Sequence, residues 1–151
     1  MSDHAISTLL DEERRFPPDP AFAAEAVAKP EIYDRDPDVF WESEGRERVS
    51  WFEPFETLSE WEPPYAKWYL GGKLNVCFNC VDRHVEAGRG DRVAFYWEGE
   101  PEGDRREISY AQLQRDVVRF ANVLSKIGVR KGTPVAIYMG MVPELPAAML
   151  A

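Results

Sequence analysis

Cysteine and histidine are both scarce, with two of each among 151 residues. So few thiols and imidazoles leave little material for a disulfide framework or a multi-ligand metal centre. Base is also outweighed by acid: 18 Lys plus Arg against 27 Asp plus Glu give a net charge of −9. Such a chain repels phosphate backbones and anionic lipid surfaces unless its bases gather on one face, which argues against nucleic-acid or membrane partners. Long hydrophobic runs are missing as well. The longest charge-free stretch, near 132–141, falls well short of the roughly 20 apolar residues that a membrane helix needs. The opening carries Asp3, Asp11, Glu12 and Glu13 before Arg14 and Arg15. The basic-then-apolar order of a secretory signal is absent there, so a cytoplasmic location is expected. What remains is a globular composition, 44% hydrophobic and 13% aromatic, too rich in both for a disordered tail.

The two halves differ. Residues 1–72 hold 17 acids and 7 bases, eight of the twelve prolines and four of the five tryptophans; residues 73–151 hold 10 acids and 11 bases. The first half therefore reads as an irregular, short-helical arm rich in Trp and Pro, burying its aromatics piecewise against something else. Asp19 before Pro20 predicts a short helix over 20–28, and Asp36-Pro37 repeats that start signal.

The second half reads as layered α/β. Asn75 can cap a helix over 76–86, with Leu74, Cys77, Phe78 and Val81 in one apolar stripe, ended by Gly88 and Gly90. Residues 93–97 form a strand-length apolar run, and a hairpin return through 106–108 follows. Ser109-Tyr110-Ala111-Gln112 fits a capping box, opening a helix with Leu113, Val117, Phe120, Ala121 and Leu124 on one face and Gly128 as its left-handed exit. Residues 135–139 are apolar throughout and predict a strand of a parallel sheet, buried on both faces. A further helix begins near Pro143 and Glu144. Its abrupt stop at Met149-Leu150-Ala151 reads as a truncation.

Several motifs invite chemical readings. Cys77 and Cys80 are spaced like half a metal site, but the second ligand pair that zinc needs is missing; they read as structural cysteines. His84 reads as a capping or core histidine. Arg89-Gly90-Asp91 spells an adhesion tripeptide but suits a helix-to-strand turn. The stretch 128–133 (GVRKGT) places glycine and lysine after a helix and before a strand, the reverse of a phosphate loop. Trp68–Asn75 reads as a packed turn, with a ligand beside Gly71 and Gly72 as the alternative.

The strings WYLGGKLN (68–75), NCVDRH (79–84), the strand and turn ending in WEGE (97–100) and VAIYMGMVPE (135–144) together resemble the opening of the AMP-forming acetyl-coenzyme A synthetases, in the adenylate-forming acyl-CoA synthetase superfamily. The resemblance is strong over 68–151 and looser back to residues 38–41 and Trp51. Gly140 stands where the family usually has proline, and Pro146 interrupts a helix usually free of it. The resemblance implies an arm over 1–72 followed by the incomplete beginning of an AMP-binding domain over 73–151. It also implies an acetate–CoA ligase using ATP, coenzyme A and Mg2+, with acetate as substrate and the remainder of its own chain as partner. The family's phosphate loop, acyl pocket and catalytic lysine lie downstream of anything here, so no catalytic, cofactor-binding or metal residue is expected within 1–151, and the piece alone is expected to be inactive. Two alternatives stay open: a propionate or other short-chain acyl-CoA synthetase, and a non-enzymatic remnant that binds a partner through its Trp-rich acidic arm.

Overall fold

The computed structural model describes residues 14–151; the acidic opening formed by Asp3, Asp11, Glu12 and Glu13 lies outside them. The architecture is mixed α/β, and the chain divides into two units, Met1–Phe40 and Trp41–Ala151.

In the first unit, α1 (Pro20–Glu25) starts where the sequence predicts. Asp19 Oδ1 accepts from the amides of Ala21 (2.8 Å) and Phe22 (3.3 Å), satisfying two donors that a helix start leaves open. The helix is shorter than the expected 20–28. Ala26 is already extended, with ψ of 132°, and Lys29, held extended by the proline after it, turns its ammonium back onto the carbonyls of Ala23 (3.0 Å) and Ala24 (2.8 Å). Asp36 Oδ1 takes the amides of Asp38 (2.9 Å) and Val39 (3.1 Å) and so opens α2 (Pro37–Arg48).

The second unit holds an element that the sequence reading did not anticipate. Strands β1 (Thr57–Glu62) and β2 (Tyr65–Leu70) pair antiparallel, with Ser59 opposite Trp68 and Trp61 opposite Ala66. They are joined through a cis Pro63–Pro64 bond. Beside this hairpin Trp51, Phe55 and Tyr69 form an aromatic cluster, with ring centroids 5.4 Å (Trp51–Phe55), 5.6 Å (Trp51–Tyr69) and 5.0 Å (Phe55–Tyr69) apart. The Arg46 guanidinium stacks over Phe55 at 4.2 Å.

After Asn75, whose side chain accepts from the Phe78 amide at 2.8 Å, the chain is helical through two π-wound segments, Phe78–Asp82 and Val85–Arg89. Gly88 sits at φ 73°, a value open to glycine at little cost. Strands β3 (Val93–Glu98) and β4 (Arg105–Ser109) form the expected hairpin. Ser109 Oγ accepts from the Gln112 amide at 3.2 Å and opens α3 (Tyr110–Lys126), which Gly128 leaves at φ 94°. The core gathers Val81, Ile108, Leu113, Val117 and Ala147, with Cys77, Phe95, Trp97 and Leu150 against it. Helix α4 (Glu144–Leu150) supplies Ala147. Its Pro146 falls within the first turn, where a missing N–H costs no intrahelical bond.

One expectation fails. Residues 135–139 form no strand, and both sheets among the described residues are two-stranded antiparallel hairpins, β1 with β2 and β3 with β4. Instead of being buried on two faces, Val135, Ile137, Tyr138 and Met139 are exposed. A lone strand has no ladder to satisfy its amides and carbonyls, and no described strand lies alongside this one.

Candidate functional site

The segment 79–84 (NCVDRH) ties parts of the chain far apart in sequence to a single helix. It is laid along the helix that Asn75 opens, so its side chains project at helical intervals toward different neighbours. Asn79 Oδ1 accepts from the Ser50 amide at 2.8 Å, while its Nδ2 donates to the carbonyls of Ser50 (3.0 Å) and Asn75 (3.0 Å). One turn on, Arg83 Nη1 donates to the Arg48 carbonyl at 2.7 Å. Asp82 Oδ1 accepts from Gln114 Nε2 of α3 at 2.8 Å, and the His84 ring leans on Tyr110 with centroids 4.8 Å apart. Val81 between them is completely buried. Four polar side chains of one short segment thus hold the 48–50 strap and the start of α3 around a single apolar anchor. Sequence reasoning missed Asn79 and Arg83: they stand four apart, the spacing of one helix face, but their partners are 29 and 35 residues away.

The Cys77 thiol is not poised for chemistry. Cys80 is exposed and Cys77 half-buried at the core's edge, both free. Burial, then the nearby Asp82 carboxylate, then Cys80 push the Cys77 thiol above its ordinary value, the opposite of an activated thiolate. His84 is shifted down, first by burial and then by Arg89 and Arg83. Among the described residues no three His, Cys, Asp or Glu side chains converge on a point that could hold a metal.

The glycine-rich turn at 68–75 is filled by protein. A Cβ on Gly72 would lie 2.6 Å from Trp51 Cζ3, and one on Gly71 would meet the Glu56 side chain at 3.6 Å. Tyr69 takes a φ of 54°, a left-handed value unusual for an aromatic residue, and its hydroxyl donates to the Trp41 carbonyl at 3.1 Å. The Arg89-Gly90-Asp91 tripeptide is folded into the turn before β3, where the Arg89 carbonyl accepts from Arg92 (3.0 Å) and that of Gly90 from Ala111 (2.9 Å). In 128–133, Arg130 is spent on carbonyls at the end of α3, Ser125 (3.1 Å) and Val129 (2.9 Å), and its own amide donates to Thr133 Oγ1 (3.1 Å). A turn at the negative end of a helix, closed on itself in this way, is unsuited to phosphate.

These contacts all lie within the chain itself, and comparison with known proteins gives the family it is similar to. Residues 28–80 match the family model described as the acetyl-coenzyme A synthetase N-terminus, and residues 81–151 match that of the AMP-binding enzymes. An acetyl-coenzyme A synthetase of Streptomyces avermitilis is 52% identical over 155 aligned residues, covering 100% of this chain and 24% of the relative. One from Mycolicibacterium smegmatis is 52% identical over 140 residues, covering 90% of this chain and 15% of the relative. One from Rhodopirellula baltica is 46% identical over 160 residues, covering 97% and 24%. The chain spans about a quarter or less of the length of these relatives. It belongs to the acetyl-coenzyme A synthetase family, and corresponds to the N-terminal part of that family's proteins.

Proposed function

We propose that this chain is the N-terminal scaffold of an AMP-forming acetate–CoA ligase and carries none of its reacting groups. In the reaction, an acetate oxygen bonds to the α-phosphorus of ATP and the bond to pyrophosphate breaks, giving acetyl-adenylate. The thiol sulfur of coenzyme A then bonds to the acyl carbon, the acyl–oxygen bond to AMP breaks, and the thiol proton is lost to solvent or base. Magnesium bound to the phosphates would neutralise their charge during the first step.

The observation that carries this reading is the 52% identity to proteins named acetyl-coenzyme A synthetase over the whole of this chain. The role of these residues is to hold form: the Asn79 and Arg83 ties fix residues 48–50 against the helix that Asn75 opens, and the aromatic cluster around Tyr69 holds Trp51 and Phe55 to β2. An arm over 1–72 and the beginning of an AMP-binding domain over 73–151 belong to this reading, as does a cytoplasmic site of action. No helix among the described residues is long and apolar enough to cross a membrane.

The test is direct. The purified chain is mixed with acetate, ATP, magnesium and coenzyme A, and AMP and pyrophosphate are followed. No turnover is expected; a rate above about 1 per second, ordinary for enzymes, would show that the chain holds reacting groups. The gene extended to the full length of its relatives should form acetyl-CoA, and a stronger preference for propionate there would transfer the protein to the propionate reading.

A further inference from the structure

The two thiols of this chain stand three residues apart on one helix. Cys77, at φ −60° and ψ −44°, leads into the π-wound stretch Phe78–Asp82, which carries Cys80. Their surroundings differ: Cys80 is exposed, while Cys77 is half-buried against the core that holds Val81, and both are free. The two sense one another, since burial, then Asp82, then Cys80 raise the Cys77 thiol. His84 stands four residues past Cys80, where a third metal ligand would be sought. Its ring instead rests on Tyr110, with centroids 4.8 Å apart, and among the described residues no three His, Cys, Asp or Glu side chains converge. Neighbouring free thiols, one open to solvent and one behind it, are arranged for thiol–disulfide exchange.

We propose that Cys77 and Cys80 form a reversible dithiol–disulfide site whose co-reactant is a small-molecule disulfide. Cys80 reacts first because it is the accessible thiol. Its sulfur, having lost its proton, bonds to one sulfur of the small disulfide. The S–S bond of the small molecule breaks and the departing thiolate takes up a proton, leaving a mixed disulfide on Cys80. The Cys77 sulfur then bonds to the Cys80 sulfur, the mixed disulfide breaks, and the second small thiol leaves with the proton that Cys77 gives up. Two electrons pass from the protein thiols to the small disulfide, which ends as two thiols. The raised Cys77 thiol is a poor initiator. As second nucleophile it sits on the same helix as its target, so the step is intramolecular.

Ring closure has a mechanical consequence. Residues three apart on an α-helix have Cβ atoms about 5–6 Å apart, whereas a disulfide needs about 3.5–4.5 Å, so the turn must draw in. Phe78 and Asn79 lie between the two cysteines, and Asn79 is the residue that holds Ser50 at 2.8 and 3.0 Å. Oxidation therefore loosens that hold, and a bond closed against such resistance is readily reduced.

The reduced chain is incubated with oxidised glutathione under native conditions, its remaining thiols are blocked, and it is digested with trypsin. Cleavage after Lys73 and Arg83 leaves both cysteines on peptide 74–83. An internal Cys77–Cys80 bond is expected in that peptide, removed again by dithiothreitol, with the Ser50 amide exchanging at least tenfold faster in the oxidised chain. Cys77→Ser should stop with one glutathione on Cys80, and Cys80→Ser should consume oxidised glutathione at least tenfold more slowly than the parent. Two unchanged thiols in the parent, glutathione that stays on its Cys80, or a disulfide joining two chains overturns the site. Equal consumption by Cys80→Ser overturns the order of attack, and an unchanged Ser50 amide overturns the coupling to the 48–50 strap. The parent's own product decides the site, so the folding of either variant does not. None of these outcomes bears on the acetate–CoA ligase reading.

Discussion

Asn79 holds the backbone of Ser50 from both sides, its carbonyl oxygen taking the Ser50 amide at 2.8 Å and its amide nitrogen giving to the Ser50 carbonyl at 3.0 Å. A primary amide can do both at once, since it carries an acceptor and two donors on one plane. The tie is part-buried, so removing it strands two backbone groups away from full hydration. Asn79→Ala should cost about 1–3 kcal/mol, read as a lower urea midpoint with an unchanged slope. Asn79→Asp keeps the acceptor but presents a carboxylate to two carbonyls. It should destabilise comparably while leaving the Ser50 amide better protected from exchange than in Asn79→Ala. Equal midpoints for all three proteins would show that the strap is held by something else.

The aromatic cluster makes its own demand on glycine. A Cβ at Gly45 would stand 2.6 Å from Tyr69 Cε1, and one at Gly72 equally close to Trp51 Cζ3. Trp51 is anchored by its indole N–H to the Gly45 carbonyl at 2.7 Å, so neither ring is free to retreat. Gly45→Ala and Gly72→Ala should each cost about 1–3 kcal/mol as overpacking. Gly140→Ala, with nothing within 4 Å of its Cβ and no positive φ, should lie within about 0.5 kcal/mol of the parent. Thermal unfolding followed by tryptophan fluorescence separates the three.

Ser109 ends β4 and caps α3, so one hydroxyl serves the junction between hairpin and helix. Ser109→Ala should cost about 1 kcal/mol and Ser109→Asp should retain most of the stability, since the cap needs only an oxygen acceptor. Far-ultraviolet circular dichroism during thermal unfolding would register the loss. An unchanged midpoint for the alanine variant would remove the cap from the account.

These features differ in how far the chain announces them. The caps at Asp19, Asn75 and Ser109 are legible because a cap is a contact over two or three residues. The β3–β4 hairpin is legible because its apolar run and turn are contiguous. The β1–β2 hairpin was not, since Thr57–Glu62 carries three acids or hydroxyls among its side chains facing solvent and ends in two prolines that read as breakers. The Asn79 and Arg83 ties were invisible for another reason: nothing local in an Asn or Arg on a helix says that its partner lies 29 or 35 residues back. At 135–139 the apolar pattern promises a covered strand, but covering depends on neighbours that the described residues do not contain.

The pH dependence of stability should be bounded on both sides by residues of the same helix. His84 is shifted below its ordinary value of 6.5 by burial and by Arg89 and Arg83. Its neutral form is thus favoured in the folded chain. Above 6.5 both folded and unfolded chains carry neutral His84 and its contribution is whole. As pH falls through that value the unfolded chain takes the proton first, and stability declines until the folded value is passed. Cys77 is shifted above its ordinary value of 9.0 by burial, by Asp82 and by Cys80. Below 9.0 both states keep the thiol proton and its contribution is whole. As pH rises beyond it the unfolded chain loses the proton first, and stability declines again. A urea midpoint measured against pH should therefore be flat between the two limbs. His84→Gln should flatten the acid limb alone, and Cys77→Ala the alkaline limb alone, each whatever its effect on the plateau. An acid limb that survives in His84→Gln would assign it to carboxylates, whose protonation lies lower.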